Sequence, residues 1–342
     1  MKFFSLGAKD IGMDLGTSNI LVTLKGKGIV LSEPAVVAID RRTNEIVATG
    51  YDAKEMLGRT PEQIKAVRPM KDGVIADFTA TGLMIKNIIS KVCKRYNGGK
   101  PRIVVGVPSG ITEVEERAVE EAVASSGAKE VYLIEEAMAA AIGAGLEVVE
   151  PTGNMIIDIG GGTTEVAVIS LGGIVVSDSI KIAGDEIDEA IVNYVKNNLN
   201  LAIGETLAEQ VKMELGCAMP PVADKTMEIR GRELTTGLPE NKIISASQVQ
   251  EAIAPSIEKI IDLVKATLEK TPPELASDIV ERGITISGGG ALIKDIDVVI
   301  SKRTEIPVFI ADRPLECVAK GTIKVIEDMG KLRSALINRR RR

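Results

Sequence analysis

The sequence contains one short pattern twice, and this repeat constrains the fold more than any other feature. Residues 11–24 read IGMDLGTSNILVTL, and residues 155–169 read MIIDIGGGTTEVAVI. Each segment has an apolar run that includes Asp, a turn of Gly and hydroxyl residues, and a second apolar run, which is typical of a β-hairpin. Asp14 and Asp158 are 158 − 14 = 144 residues apart. A hairpin in each half predicts two similar lobes.

Strand-like runs alternate with helical stretches along the chain, which predicts an α/β fold. Thr112 and Glu115 have the spacing of a capping box at a helix start. The apolar face expected on that helix consists of Val114, Ala118, Val119, Ala122 and Val123. Thr271 is predicted as the N-cap of a helix that opens with proline, and a further helix is predicted from Ala183 to about Leu199.

Composition excludes several classes of function. The 342 residues include no His and only three Cys, so Ser-His-Asp triads, Cys-His pairs and His-ligated zinc are ruled out. The cysteines form no CxxC pair, which favours a reducing compartment. A net charge of −6 argues against wrapping nucleic acid. The apolar part of MKFFSLGAKD is too short for a signal peptide, and no run reaches the ~18 residues of a membrane span, so we expect a cytoplasmic protein.

Three glycine turns at strand ends predict a nucleotide cleft. Two of them expose backbone N–H groups suited to phosphate oxygens, and the third offers a flat surface for a purine. The residues of the two phosphate turns are Gly16, Thr17, Ser18, Asn19, Gly160, Gly161, Gly162 and Thr163. Asp14 and Asp158 would repel phosphate, but they suit a hydrated Mg²⁺. Each turn alone has an ordinary alternative, a hairpin turn with Asp and Gly for geometry.

The familiar nucleotide motifs are missing. No GxxxxGK[ST] and no GxGxxG occurs, which excludes a P-loop and a Rossmann dinucleotide site.

Five motifs in order resemble those of the ATPase superfamily of actin, 70-kDa heat-shock chaperones and sugar kinases. They are Asp14-Leu-Gly-Thr, Val105-Gly-Val-Pro, Asp158-Ile-Gly-Gly-Gly-Thr, Ser287-Gly-Gly-Gly-Ala-Leu and Ala319-Lys-Gly-Thr. Within this superfamily the chain resembles the MreB family of bacterial actin-like rod-shape proteins over nearly its full length. The resemblance implies an ATP-dependent protein that forms filaments with itself and helps determine cell shape.

The resemblance also implies a domain plan with a central nucleotide cleft. The first actin-like lobe would span residues 1–147, with a small subdomain at about 32–68. The second would span 148–315, with a small subdomain at about 184–250. Residues 316–342 would form a C-terminal helix that returns to the first lobe and ends in a basic tail.

Individual roles follow from the same motifs. The resemblance assigns the adenosine to Gly288, Gly289, Gly290, Ala291 and Leu292, and further nucleoside contacts to Glu209, Gln210 and Lys212. Glu209 and Lys212 share a helix face by their spacing, and a solvated ion pair between them is the alternative.

Glu136 matches the residue that positions the attacking water in this family, and Thr163 is its expected hydroxyl partner. Glu135 is the less favoured of the two adjacent glutamates. The family usually has Pro after this Glu, and Ala137 here leads us to expect slow ATP hydrolysis, because Pro fixes the start of a helix.

The chain termini predict contact with a membrane. Arg339, Arg340, Arg341 and Arg342 form a basic tail suited to an anionic leaflet, with a merely solubilising or nucleic-acid-binding end as the alternative. Phe3 and Phe4 are expected to enter lipid or to pack in a strand. Membrane-bound shape or wall-synthesis proteins are further expected partners.

Two other functions of the same superfamily remain open at this point. A small-molecule phosphotransferase would need a substrate pocket and an Asp base, for which no motif is seen. A chaperone-type ATPase would need a client domain, for which the sequence shows no room.

Overall fold

Two five-stranded sheets with the same strand order form the framework of the protein. The computed structural model describes residues 10–96 and 99–337. The predicted membrane residues Phe3, Phe4 and 339–342 lie outside the described residues.

The secondary structure alternates between strands and helices as the sequence predicts. The strands are β1 (Ile11–Leu15), β2 (Asn19–Leu24), β3 (Gly28–Pro34), β4 (Val37–Asp40), β5 (Ile46–Thr49), β6 (Ile64–Val67), β7 (Met70–Lys71), β8 (Val74–Ile75), β9 (Arg102–Val107), β10 (Glu130–Glu135), β11 (Asn154–Ile159), β12 (Thr164–Ser170), β13 (Gly173–Ile180), β14 (Leu201–Ala202), β15 (Thr226–Glu233), β16 (Pro239–Ser245), β17 (Ile284–Ser287) and β18 (Val308–Ile310). The α-helices are α1 (Tyr51–Met56), α2 (Phe78–Tyr96), α3 (Glu113–Ser125), α4 (Glu136–Ala144), α5 (Gly184–Asn198), α6 (Glu205–Leu215), α7 (Ala246–Lys270), α8 (Pro273–Arg282), α9 (Ile296–Thr304), α10 (Cys317–Glu327) and α11 (Met329–Leu332). Short 3₁₀ helices cover Gly289–Leu292, Pro314–Glu316 and Arg333–Ala335.

The two large sheets are built alike. Their strand orders are β10-β9-β1-β2-β3 and β13-β12-β11-β17-β18. In each sheet the repeated hairpin is antiparallel, and its first strand also pairs in parallel with a strand from later in the chain. The predicted α/β fold with two similar halves is therefore confirmed.

Each half also carries a small three-stranded sheet. One has the order β5-β4-β6, and the other has the order β14-β15-β16. They lie within the regions where small subdomains are predicted, although the domain boundaries themselves stay a prediction.

Helices α4 and α10 join the two large sheets. Helix α4 packs against β11 and β12, and α10 packs against β1 and β9. The two helices approach each other closely at two glycines. A Cβ added at Gly143 would overlap the carbonyl of Cys317, and one added at Gly321 would overlap the carbonyl of Ala139. This glycine contact fixes the position of α4, which begins at Glu136.

Two local predictions were wrong. Val114 is 76% exposed, because α3 meets the core only through later positions such as Val119 and Val123. Thr271 ends α7 instead of starting α8, and its hydroxyl donates to the Thr267 carbonyl 2.8 Å away. The N-cap of α8 is Pro272, which follows without a linker.

Other helix predictions are confirmed, including the Thr112–Glu115 capping box and the helix over 184–198. None of the helices described for residues 10–96 and 99–337 is both long and apolar enough to cross a bilayer.

Candidate nucleotide site

The first two glycine turns contact each other across the two lobes. A Cβ added at Gly161 would overlap the Ser18 hydroxyl and lie 2.9 Å from Ser18 Cβ. A Cβ at Gly162 would lie 2.7 Å from Thr17 Oγ1. These glycines are therefore required by the close approach of the two turns, which the sequence predicted to share one ligand.

A third segment, residues 68–73, contacts both turns. The Gly73 amide donates to Thr17 Oγ1 at 3.2 Å. A Cβ at Gly162 would lie 2.9 Å from the Asp72 amide nitrogen. Arg68 begins this segment and places its guanidinium near Ser18. Sequence reasoning missed this segment, although its Asp72-Gly73 pair is typical of a two-residue hairpin turn, and β7 and β8 pair on either side of it.

Four carboxyl groups lie close enough to perturb one another behind the turns. Burial and the neighbouring Asp158 raise the pKa of Asp14 to about 8, although residue 14 keeps some exposure. Burial raises the pKa of Glu136 well above its usual value, and Glu165, Asp14 and Asp158 add to the effect. The predicted residues Asp14, Asp158 and Glu136 are therefore brought together.

Asp158 and Glu165 oppose each other on β11 and β12, and both are buried. The Ser287 hydroxyl donates to Asp158 at 2.6 Å, which limits the burial-raised pKa of Asp158 to about 6. Glu165 accepts hydrogen bonds from the amide and hydroxyl of Ser109 at 2.9 and 3.1 Å. Burial and Asp158 nevertheless raise the pKa of Glu165 to about 8.

Glu165 is a site residue that sequence reasoning missed. The available signal was its position: it occupies the hairpin register opposite Asp158, so the two side chains are neighbours on one face. Its partner Ser109 belongs to the first lobe, and these hydrogen bonds connect the lobes at the base of the site.

Glu136 reaches the cluster over a glycine. A Cβ at Gly106 would lie 3.3 Å from Glu136 Cγ, so any larger residue there would crowd this side chain. The helix begins at Glu136, with Glu135 as its N-cap and Ala137 fully buried. Thr163 is buried at the end of the second turn, where its carbonyl accepts from the Gly160 amide at 2.9 Å.

A cation fits this arrangement. Like charges in a poorly solvated site are stabilised by a positive ion, and carboxylate oxygens suit Mg²⁺. In the described part of the chain, no three acidic or thiol side chains are arranged to ligate an ion directly. Asp14 and Asp158 would act through water, because Mg²⁺ usually keeps several of its water ligands.

The third glycine turn adjoins the second. Gly288 has φ 80°, and a Cβ there would overlap the carbonyl of Ile159. A Cβ at Gly290 would overlap the Ile159 side chain. Ala291 is buried, whereas Leu292 is 60% exposed.

Glu209 and Lys212 lie on α6 but do not pair with each other. Glu209 Oε2 lies 2.6 Å from Lys54 Nζ, which belongs to helix α1. Lys212 Nζ lies 2.9 Å from the Asp188 carboxylate and donates to the Gly184 carbonyl at 2.9 Å. The intrahelical ion pair is therefore not observed.

The position of Lys212 relates α6 to the second turn. A Cβ at Gly184 would lie 3.4 Å from Lys212 Nζ and 3.5 Å from Gly161 Cα. The neighbouring Gln210 is exposed.

Comparison with known proteins gives consistent matches over almost the whole chain. Residues 8–334 match the family described as MreB/Mbl protein. The cell shape-determining protein Mbl of Bacillus subtilis (strain 168) is 48% identical over 325 residues, covering 95% of this chain and 98% of the relative. The cell shape-determining protein MreB of Escherichia coli (strain K12) is 50% identical over 331 residues, covering 95% of each.

Solved structures agree with these matches. MreB5 of Spiroplasma citri bound to ADP superposes with a TM-score of 0.90 at 41% identity, covering 95% of this chain and 98% of that one. The same protein is also known bound to AMPPNP. The MamK double helical filament gives a TM-score of 0.78 at 19% identity, with coverage of 94% and 99%, and so shares the fold.

Proposed function

The chain belongs to the MreB/Mbl family, and on that premise we propose that it binds ATP with Mg²⁺ between its lobes and hydrolyses it slowly. It is an actin-like, filament-forming, cell shape-determining protein. We propose further that nucleotide controls assembly, and that the filaments lie at the inner face of the cell membrane.

One observation carries the nucleotide proposal: two glycine turns from different lobes touch in front of four mutually perturbed carboxyl groups, of which Asp158 and Glu165 are buried. The turns offer backbone N–H groups to phosphate, and the carboxyl groups favour a cation. A magnesium-bound triphosphate satisfies both. The binding of ADP and AMPPNP by MreB5 of Spiroplasma citri supports the same ligand here.

The proposed roles follow the geometry. Residues 16–19 and 160–163 hold the phosphates, 288–292 and α6 hold the adenosine, and Asp14 and Asp158 hold water around the metal. The ion would neutralise charge on the phosphates during transfer. Lys212 must exchange part of its contact with Asp188 to reach a nucleoside.

Glu136 is proposed to orient and deprotonate the attacking water. It projects over Gly106 toward the carboxyl cluster, and Thr163 is proposed to assist it. A carboxyl group whose pKa is raised above its ordinary value accepts a proton more readily, which suits a general base. Ala137 leaves the helix start without proline's fixed φ, which supports a slow rate.

The membrane proposal depends on Arg339–Arg342, with Phe3 and Phe4. Each cation near an anionic leaflet is worth about 1 kcal/mol, so four act together. The whole chain has a net charge of −6, whereas residues 339–342 are four consecutive arginines.

Sedimentation with electron microscopy tests the proposal. Full-length protein is incubated with Mg-ATP, Mg-ADP or no nucleotide, with and without vesicles that contain anionic lipid. We expect filaments with ATP, and more protein on anionic vesicles than on neutral ones. A variant that lacks residues 339–342 should polymerise normally but lose vesicle binding. Polymerisation that ignores nucleotide would contradict the ATP control, and unchanged vesicle binding would contradict the role of the tail.

A further inference from the structure

Arg68 is incompletely bonded at the mouth of the nucleotide site. Its Nη1 lies 3.4 Å from Asp185 Oδ1 and 3.5 Å from Ser18 Oγ. Charge-assisted hydrogen bonds of this type usually measure about 2.7–2.9 Å. Arg68 Nε is buried and finds no hydrogen-bond partner within residues 10–96 and 99–337. Leaving a buried donor unpaired costs free energy. We therefore expect a ligand to supply the acceptor that Arg68 Nε lacks.

The location of Arg68 indicates what that acceptor is. Ser18 is part of the first phosphate turn, and its hydroxyl contacts Gly161 of the second. The segment that Arg68 begins also bonds Thr17 through the Gly73 amide. The guanidinium therefore stands beside the junction of both turns, where the end of a polyphosphate chain would lie.

We propose that Arg68 binds the terminal phosphate of the nucleotide and so distinguishes ATP from ADP. This inference rests on the proposed function. Phosphate offers several oxygens that match the planar fork of arginine, and it can satisfy Nε and an Nη together.

Asp185 is the group that Arg68 leaves. Its carboxylate also accepts from Ser18 Oγ at 3.1 Å, and its amide donates to the Gly161 carbonyl at 2.8 Å. Phosphate and carboxylate compete for the same guanidinium. Release of Asp185 would then report the occupied site to α5, which starts at Gly184.

The test compares the affinities of Mg-AMPPNP and Mg-ADP by calorimetry. The protein concentration is kept low enough that sedimentation detects no polymer. Arg68→Gln removes the cation. Lys71→Gln is the matched control, because Lys71 is an exposed cation of the same segment. Asp185→Asn removes the competitor, and Arg68→Lys retains charge without the fork. Circular dichroism melting confirms that each variant folds.

We expect Arg68→Gln to weaken the affinity for AMPPNP by about tenfold or more, while the affinity for ADP changes by less than about threefold. Arg68→Lys should recover part of the loss, Lys71→Gln should resemble the unaltered protein, and Asp185→Asn should keep or improve AMPPNP binding. Equal loss of both nucleotides in Arg68→Gln, or no loss, would overturn the inference. So would an Asp185→Asn variant as weak for AMPPNP as Arg68→Gln, since the ion pair itself would then be the functional unit. Failure of the unaltered protein to bind either nucleotide would instead refute the proposed function.

Discussion

The two hairpins at the centre of the molecule share a scaffold but differ in the residues beside their aspartates. Asp14 has Leu21 opposite it on the antiparallel strand and Gly106 on the parallel strand. Asp158 has Glu165 and Ser287 at the equivalent places. The repeated strands set two matching frames, and the chemistry differs because the flanking positions differ.

The consequences are opposite on the two sides. In the first half, Gly106 leaves room for Glu136 to enter the site. In the second half, Ser287 donates to Asp158, and the pKa of this carboxyl stays near 6 while that of Asp14 rises to about 8. The strand beside the first hairpin leaves space for a proposed catalytic group, whereas the strand beside the second hairpin donates a hydrogen bond to Asp158.

The largest expected effect tests the space beside the first hairpin. We expect Glu136→Ala to reduce ATP hydrolysis by about a hundredfold, because a positioned general base contributes at least this much. Binding of AMPPNP should change little. Phosphate release measures the rate, and Glu135→Ala is the matched control at the adjacent glutamate. Hydrolysis at the unaltered rate in Glu136→Ala would remove Glu136 from its proposed role.

The next effect tests the contact between the turns. Gly161→Ala should weaken Mg-ATP binding by about tenfold, since overpacking costs about 1–3 kcal/mol and the new Cβ meets Ser18. Gly160→Ala is the control, because its Cβ would meet only the Thr163 carbonyl, at 3.2 Å. Calorimetric titration measures both. Equal affinities in the two variants would show that the turns separate freely.

A third prediction concerns how the stability of the protein depends on pH. The second hairpin has the ionisable Glu165 opposite its aspartate, where the first has the apolar Leu21. The folded-state pKa values of Asp158, Asp14 and Glu165 are raised, to about 6, 8 and 8. Their protonation stabilises the folded state fully below the unfolded pKa near 4, and this contribution is lost as pH rises through the folded values. The nucleotide-free protein should therefore become less stable from about pH 5 to pH 8.

The size of this slope is on the order of 1 kcal/mol per pH unit for each proton involved. Thermal melting across this range measures it, and Glu165→Gln should flatten it. Mg-ATP should flatten it too, because the cation compensates the ionised carboxylates. A nucleotide-free melting temperature that rises toward pH 8 would contradict this account.

The smallest expected effect concerns the outer part of the cleft, where Lys54 and Glu209 pair at 2.6 Å. Both side chains are partly exposed, so a double-mutant cycle with Lys54→Ala and Glu209→Ala should give a coupling of about 0.5–1 kcal/mol. Denaturant unfolding measures this free energy. Nucleotide dissociation should become faster in Lys54→Ala as this link across the cleft is lost. A coupling of zero would show that this ion pair does not stabilise the contact between the lobes. The glycine turns and Ser109 would then account for that contact.

The sequence alone determined the two hairpins and the α/β fold, because apolar periodicity and glycine placement are local properties that the chain must satisfy wherever it folds. The resemblance of its five ordered motifs indicated the superfamily. It also marked Asp14, Asp158 and Glu136 as candidates. Only the tertiary structure decided how Glu165, Ser109 and Arg68 enter the site, because each contacts residues at least 50 positions away. It likewise paired Glu209 with Lys54 instead of Lys212, since ion-pair partners depend on which elements the fold brings face to face.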